Sequence, residues 1–490
     1  MADSREARFQ QDIIDQMVSE GWLTGPASGY DRAAALYPED LLAYFQEAWP
    51  ERWEKYCKNN PQKPEEIFLK AVVRELDKHG CLEVLRHGFK VPGVKIDLCS
   101  FKPDHGMNPE SLARYKANRL RVVPEVSYSP HFREGPEQSS SGKGAGYNPR
   151  LDLVLFVNGI PTATLELKSE FKQSVENAKR QYRYDRPVKD PVTRKPEPLL
   201  TFKRGALVHF AVSQDEVAMT TQLKGKDTLF LPFNQGSEEG GAGNPHPEDD
   251  SQYGTAYLWQ RVFQTDAWLK ILGRFLHLQK EEKEDFGGRK YTKETLIFPR
   301  YHQWDVVNQL LDSTRKEGAG NKYLIQHSAG SGKSNSIGWT AHQLASLYDA
   351  EGNRLFNSVV VVTDRTVLDS QLQNTIYQFE HASGVVRPIT RDIGSQSKSE
   401  QLSDALAEQT RIIIVTIQTF PALFDAIDKR PELAKGRYAV IADEAHSSQT
   451  GSSATKLKTI LGGELPEGEE ISAEELMDAA GASGKPSESI

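Results

Sequence analysis

The chain has 490 residues, with 60 Lys and Arg against 68 Asp and Glu for a formal charge of −8, and 38% of it is hydrophobic. That length allows two to four domains with sizeable cores, and the acidic balance excludes a uniformly basic nucleic-acid coat. No apolar run approaches the ~18–20 residues that span a bilayer, no leader pattern opens the chain, and Cys57, Cys81 and Cys99 show no paired spacing. These features predict a cytoplasmic protein without membrane contacts, structural disulfides or zinc.

Residues 6–21 carry helical periodicity through Phe9, Ile13, Ile14, Met17 and Val18 and end at Gly21. Helical stretches are expected around 39–58 and 63–79. The pattern turns strand-like over 85–101, from Val84-Leu85 to Leu98, and again over 121–128. Residues 136–148 are Gly/Ser-rich. A hairpin follows, with 151–157 and 161–168 flanking Asn158-Gly159, a pair that supplies the positive φ of a two-residue turn. Residues 172–185 read as helix, 205–220 as two short strands, 234–252 as a polar loop and 257–278 as helix. The charged run 279–290 is the expected domain boundary. Beyond it, strands at 323–326, 358–363, 411–415 and 438–442 alternate with helices, which predicts a parallel sheet covered on both faces. There is no internal repeat, and the tail after about 460 loses apolar periodicity.

Two nucleotide signatures stand about 110 residues apart in the second half. Residues 327–334 read HSAGSGKS, a phosphate-binding loop in which Gly330 and Gly332 let the backbone approach phosphate, Lys333 reaches the β/γ-phosphates and Ser334 reaches Mg²⁺. His327 replaces the first glycine of the usual pattern. Asp443-Glu444-Ala445-His446 follows an apolar strand, so that Asp443 holds Mg²⁺ through water and Glu444 acts as base on the attacking water. In this order the two predict a motor-type ATPase core that uses ATP and Mg²⁺.

This half resembles the first motor lobe of superfamily 2 helicases and translocases. Phe298-Pro-Arg-Tyr-His-Gln303 is similar to the adenine-recognition segment of that family, which implies Arg300 and Gln303 as nucleotide contacts. Thr363-Asp364-Arg365 and Thr416-Ile-Gln-Thr-Phe420 resemble motifs that contact the DNA backbone, which implies a DNA contact at Arg365. The family carries a second lobe of ~150 residues, and about 44 residues follow His446. The expectation is an N-terminal piece of a longer enzyme, with hydrolysis incomplete in isolation.

In the first half, Asp152 lies on one hairpin strand and Glu166-Leu167-Lys168 on the other. Glu166 and Lys168 share a face because the strand period is two. Asp152 stands six residues before Asn158 and Glu166 seven after Gly159, so folding back brings the carboxylates together. Two carboxylates and a lysine suit Mg²⁺-dependent phosphodiester hydrolysis, with Asp152 and Glu166 as metal ligands and Lys168 orienting the nucleophile or offsetting charge. The pattern resembles the PD-(D/E)xK nucleases. Residues 171–204 hold ten Lys/Arg against four Asp/Glu, a candidate DNA-contacting face that includes Lys172, Lys179, Arg180, Arg183 and Arg186.

Nuclease followed by motor lobe resembles the R subunit of Type I restriction–modification enzymes, over essentially residues 5–450. Type III subunits carry these parts in the opposite order. The resemblance implies supporting roles for Gln181, Tyr184 and, from the first helix, Glu6, although the Gln-xxx-Tyr spacing of the family is not met from Gln181. It further implies double-stranded DNA as substrate, with modification (methyltransferase) and specificity subunits as partners. The expected fold class is α/β. A restriction-endonuclease-like domain spans 1–278, a linker 279–290, and one RecA-like doubly wound parallel-sheet lobe 291–490. Alternatives left open are a superfamily 2 helicase or repair translocase with a DNA-binding or degenerate nuclease-like N-terminal domain, and a fragment that docks without turnover.

Overall fold

The structure is a computed structural model that describes residues 2–443 except 105, 107, 136–145, 170–173, 238–239, 248, 250–251, 286, 329, 364–365, 380–384, 390–396, 418 and 420–429. Among the expected site residues, Lys172, Arg365 and Glu444 lie outside the described residues, as does the tail after 460. The chain divides into two compact units, residues 1–278 with 294–301, and residues 279–293 with 302 onward.

In the first unit, α1 (Ala2–Ser19) leads to the short β1 (Leu23–Thr24). Next come α2 (Pro38–Ala48), α3 (Pro50–Asn59), α4 (Pro64–His79) and α5 (Cys81–His87). The chain continues through β2 (Phe89–Val91), β3 (Val94–Ile96), α6 (Pro109–Lys116), β4 (Leu120–Ser127), β5 (Arg150–Val157) and β6 (Ile160–Leu167). It then forms α7 (Val175–Arg180), β7 (Val208–Val212), β8 (Val217–Thr220), β9 (Leu231–Pro232) and α8 (Thr265–Lys270). Seven strands make one mixed sheet in the order β1-β4-β5-β6-β7-β8-β9, with β1–β4 and β6–β7 parallel. β6 lies at its centre and every residue of it is buried.

Several elements depart from the expected pattern for local reasons. The stretch 39–58 is two helices, because Pro50 has no N–H to extend α2 and instead takes the first position of α3. Val84 and Leu85 belong to a helix, not a strand. Gly80 and Gly88, at φ 87° and 59°, bracket α5, and Cys81, Val84 and Leu85 bury together. The stretch 257–278 is broken into a π-turn at Leu258–Val262, α8, and a second π-turn at Ile271–Phe275.

The charged segment expected as a linker lies within β10 (His277–Glu284) and β11 (Lys290–Ile297), which form a two-stranded sheet. Its turn is made by Asp285, whose Oδ1 accepts from Gly287 N and Arg289 N at 2.9 Å each. Charge runs suit an exposed two-stranded ribbon as well as a linker, so composition does not separate them.

The second unit holds α9 (Tyr301–Glu317, its first residue grouped with the first unit), α10 (Lys333–Ala345), β12 (Ser358–Thr363) and α11 (Thr366–Gln378). β13 (Val386–Pro388), α12 (Lys398–Ala407), β14 (Ile412–Thr416) and β15 (Tyr438–Ala442) follow. The strands form an all-parallel sheet in the order β13-β14-β12-β15. β12 reads Ser-Val-Val-Val-Val-Thr and is buried throughout, as a strand flanked on both sides and covered on both faces must be. Leu402, Ala405 and Leu406 of α12 pack with Val360, Val362, Ile413 and Val415. α10 packs on β12, β14 and β15. α12 starts with a capping box in which Ser397 and Glu400 satisfy each other's backbone N–H.

One expected strand is not there. Residues 321–328 have no regular structure, and Leu324 is 72% exposed. A strand needs a ladder partner for its backbone groups, and among the described residues none pairs with this run. The expected α/β class holds for both units. No helix of the described residues is long and apolar enough to cross a membrane.

Candidate functional site

The hairpin is fixed at its turn. Asn158 and Gly159 take φ 49° and 75°, the backbone of a two-residue turn. The Asn158 side chain is fully buried and satisfied. Its Oδ1 accepts from Arg119 N at 2.7 Å, and its Nδ2 donates to Leu98 O and Asn118 Oδ1 at 2.9 and 2.8 Å.

From the turn, Val157 pairs with Ile160 and Phe156 with Pro161, but Leu155 pairs with Ala163. Thr162 is therefore the extra residue of a β-bulge, at the point where Pro161 has no N–H for the ladder. The bulge absorbs the one-residue difference between the two arms. With Leu153 opposite Leu165, the register carries Asp152 opposite Glu166.

Around this pair the side chains converge. Asp152 Oδ2 accepts from Leu167 N at 2.6 Å. Glu166 is completely buried, and Arg186 donates to both its oxygens, Nε to Oε1 at 2.6 Å and Nη2 to Oε2 at 3.1 Å. Lys168 Nζ lies 3.0 Å from Glu6 Oε1.

α1 brings Glu6 there. Its Phe9 packs edge-on against Tyr253 and Trp259, and Gln16 Oε1 accepts from Trp259 Nε1 at 2.6 Å. One turn after Glu6, Gln10 Nε2 donates to Asp152 O at 2.7 Å and Glu125 Oε1 at 3.2 Å. Burial pushes the Asp152 carboxyl up from its usual range. Glu166 is pushed well above its range by burial and then by the Asp152 charge. Burial works against the charge on Arg186, and Glu166 overcomes it.

Arg186 is the site residue that sequence reading missed. By sequence it belongs to the basic helical face, but α7 ends at Arg180 and Gln181–Asp185 form a π-turn. Arg186 N donates to Gln181 O at 3.0 Å, and this wider turn delivers the guanidinium to Glu166. π-turns recur at functional sites, but one-residue widening leaves no mark in helical periodicity.

Tyr184, expected in a supporting role, is not brought into the buried site. Its side chain is 64% exposed, whereas Tyr182 is fully buried with its hydroxyl 2.8 Å from Thr164 Oγ1. Thr164 also meets His209 Nδ1 at 2.8 Å, and burial lowers the His209 pKa to about 3. The Oε1 of Gln181 is buried without a hydrogen-bond partner among the described residues.

The basic face is partly neutralised. Lys179 lies 2.6 Å from Glu176. Arg183 donates to Thr228 O at 3.2 Å and lies over the Phe230 ring, while Arg180 is exposed.

Asp152 and Glu166 fit a hard divalent cation. They are oxygen donors buried opposite each other, and burial is the main cause of the raised pKa of both. Among the described residues no group of three or more His, Cys, Asp or Glu is gathered to hold a metal, so water would supply the remaining ligands.

In the second unit the phosphate loop opens α10. Gly330 and Gly332 take φ 74° and 85°, and Gly332 caps the helix N-terminus, where free N–H groups suit an anion. Ser334 is exposed. Asp443 follows β15 directly, its N donating to Val362 O at 2.9 Å, and its Oδ1 lies 3.0 Å from Lys333 Nζ. Gln303 Nε2 donates to Gly332 O at 2.9 Å and Ser331 O at 3.2 Å, so its amide holds the loop. His327, in the place of the missing glycine, sets Nδ1 2.9 Å from Ser331 Oγ. Burial, then His302 and Lys333, lower the His327 pKa. Arg300 is half-buried and falls in the first unit.

Comparison with known proteins matches both parts. Residues 6–228 match the family model of the Type I restriction enzyme R protein N terminus, and residues 302–465 match that of the SWI2/SNF2 ATPase. Residues 6–228 are thus similar to the N-terminal region of Type I restriction R proteins. The endonuclease subunit of the Type I restriction enzyme HindI from Haemophilus influenzae is 26% identical over 305 residues, 61% of this chain and 26% of that protein. The putative Type I restriction enzyme MjaVIIIP endonuclease subunit from Methanocaldococcus jannaschii is 24% identical over 336 residues, 63% and 28% of the two. The chain thus spans about a quarter of the length of these curated relatives.

Proposed function

We propose that this R-subunit chain holds the DNA-cleaving site and the first ATPase lobe of a cytoplasmic Type I restriction enzyme, with residues 1–278 and 291–490 as the respective domains. The substrate is double-stranded DNA, the cofactors are ATP and Mg²⁺, and the partners are the modification and specificity subunits. The observation that carries the reading is the cross-strand placement of Asp152 and Glu166 beside Lys168, which Glu6 holds.

Asp152 and Glu166 would hold the divalent ion. Bound there, the ion supplies an activated water and offsets charge on the phosphorane. Lys168 turns from Glu6 to the attacking water or the phosphate oxygens. Glu6, on α1, keeps that ammonium in place before DNA arrives. Arg180, Arg183, Lys179 and Lys172 bind the DNA backbone next to the cut.

In the lobe, Gly330 and Gly332 let backbone N–H groups close on the phosphates, and Lys333 exchanges Asp443 for the β/γ-phosphates. Ser334 and Asp443 would hold the nucleotide's magnesium, and Glu444 would act as base on the attacking water. Gln303 contacts adenine, and Arg365 touches DNA.

The test is cleavage of plasmid DNA in Mn²⁺ by the wild type and by Lys168→Ala and Asp152→Ala. Cleavage lost in both variants supports the reading. Equal cleavage in all three would point to a contaminating nuclease and refute it. A second reading has one observation behind it: both Glu166 oxygens are engaged by Arg186, as in a structural ion pair of a degenerate nuclease-like domain on a translocase. That reading predicts no metal binding at the hairpin.

A further inference from the structure

We propose that Arg186 is the cation partner of Glu166 in the metal-free nuclease site and releases it when a divalent ion binds, so that positive charge is exchanged rather than added. The inference rests on the nuclease reading of Asp152, Glu166 and Lys168.

The geometry is that of a fork on a carboxylate. Nε and Nη2 of Arg186 each meet one oxygen of Glu166, at 2.6 and 3.1 Å. Such bidentate pairs are the strong kind of ion pair. Glu166 is completely buried, so no water competes for those oxygens, and neighbouring Asp152 commits Oδ2 to Leu167 N. A metal ligand in this state has both oxygens engaged by a cation. A divalent ion placed beside the guanidinium would be repelled by it at short range, where little water screens the two.

The two partners differ in freedom. Glu166 sits on β6, at the centre of the sheet. Arg186 follows the π-turn Gln181–Asp185, its side chain is 14% exposed, and its backbone is held by Gln181 O at 3.0 Å. Tyr128 OH fixes the next residue by donating to Pro187 O at 3.3 Å. The backbone is therefore pinned, while the side chain, unlike that of Glu166, is partly exposed. Arg186 is the partner that moves, and its released fork is of the type that takes phosphate oxygens in pairs.

The test is calorimetric titration of Mn²⁺ into the full chain, as wild type, Arg186→Gln, Arg186→Lys and Asp152→Ala. Arg186→Gln is expected to bind Mn²⁺ at least about tenfold more tightly, because a competing charge at contact distance is gone. Arg186→Lys keeps the charge and is expected to bind much as the wild type does. Weaker or unchanged binding in Arg186→Gln overturns the proposal. Should Arg186→Gln not fold, the wild type still decides. The hydrogen-bonded Arg186 Nε–H resonance, assigned by its absence from Arg186→Lys, is expected to vanish on addition of Mg²⁺, and its persistence at saturation overturns the proposal. Asp152→Ala separates the two levels. If it binds Mn²⁺ like the wild type, the nuclease reading itself fails and this inference with it. If it loses binding while Arg186→Gln gains nothing, only the exchange fails.

Discussion

Arg186 and Glu166 are joined through both carboxylate oxygens, at 2.6 and 3.1 Å, inside the first unit. Removing one member of a buried pair leaves the other charge without compensation, typically at a cost of about 3–5 kcal/mol, whereas replacing both with apolar groups of similar volume is often neutral. Glu166→Ala is therefore expected to destabilise the first unit by an amount in that range. The double variant Glu166→Met, Arg186→Met should recover most of the loss. Urea unfolding followed by tryptophan fluorescence measures both. Equal destabilisation by single and double variants would mean that the pair is not coupled.

Lys168 is held 3.0 Å from Glu6 by a helix anchored elsewhere in the unit. Lys168→Ala is expected to slow DNA cleavage by about 100-fold or more, the usual scale for a positioned proton-transfer or charge-stabilising group. Glu6→Gln should cost less, on the order of tenfold, because the ammonium remains. Nucleotide binding, measured with a fluorescent ATP analogue, should be unchanged in both.

The Asn158–Gly159 turn sets the register on which the carboxylate pair depends. Gly159→Ala would place a Cβ 2.9 Å from Leu41 N and closer still to Tyr37 O, at φ 75°. A loss of more than about 1 kcal/mol is expected from backbone strain of this kind. Asn158→Ala removes the partner of Arg119 N and two further bonds at once. Thermal unfolding should rank both variants below Gly93→Ala, a turn glycine whose added Cβ would meet nothing within 3.4 Å.

His209 gives the first unit an acid-sensitive element. Burial lowers its pKa from 6.5 to about 3, so the folded protein keeps it neutral where the unfolded chain would protonate it. The unfolded state binds more protons between those values, so stability rises with pH across that window. The contribution is complete above about pH 6.5 and falls away as pH drops towards 3, by up to ~1.4 kcal/mol per pH unit. His209→Gln should flatten the fall in melting temperature between pH 6.5 and 4.5. An identical slope in the variant would show that another group sets it.

Short-range rules made part of the site legible in the sequence. Asn-Gly fixes a turn, and a turn fixes which residues face each other, so Asp152 and Glu166 could be paired before any coordinates. The arms are unequal, six residues and seven, and the bulge at Thr162, which no rule of spacing foretold, absorbs the difference. The approach of Glu6 came from resemblance alone, since no local rule links α1 to a hairpin so distant in sequence. Arg186 was hidden because a π-turn shares the composition of an α-turn, and one extra residue rotates the side chain from the basic face into the site. Tyr182 and Tyr184 are separated by the same geometry. In the second unit, the buried strand of valines and the phosphate loop were legible from burial and glycine placement. The run 323–326 was not, because apolarity predicts a strand only where a neighbour completes its ladder.

The central claim is that the hairpin holds a metal distinct from the one that accompanies ATP. The most direct measurement is calorimetry of Mn²⁺ binding, with an uncleavable duplex present, to the wild type, Asp152→Ala and Lys333→Ala. Binding is expected to be lost in Asp152→Ala and kept in Lys333→Ala. Binding indifferent to Asp152 would contradict it, and would leave a phosphate-loop lobe joined to a domain that only docks on DNA.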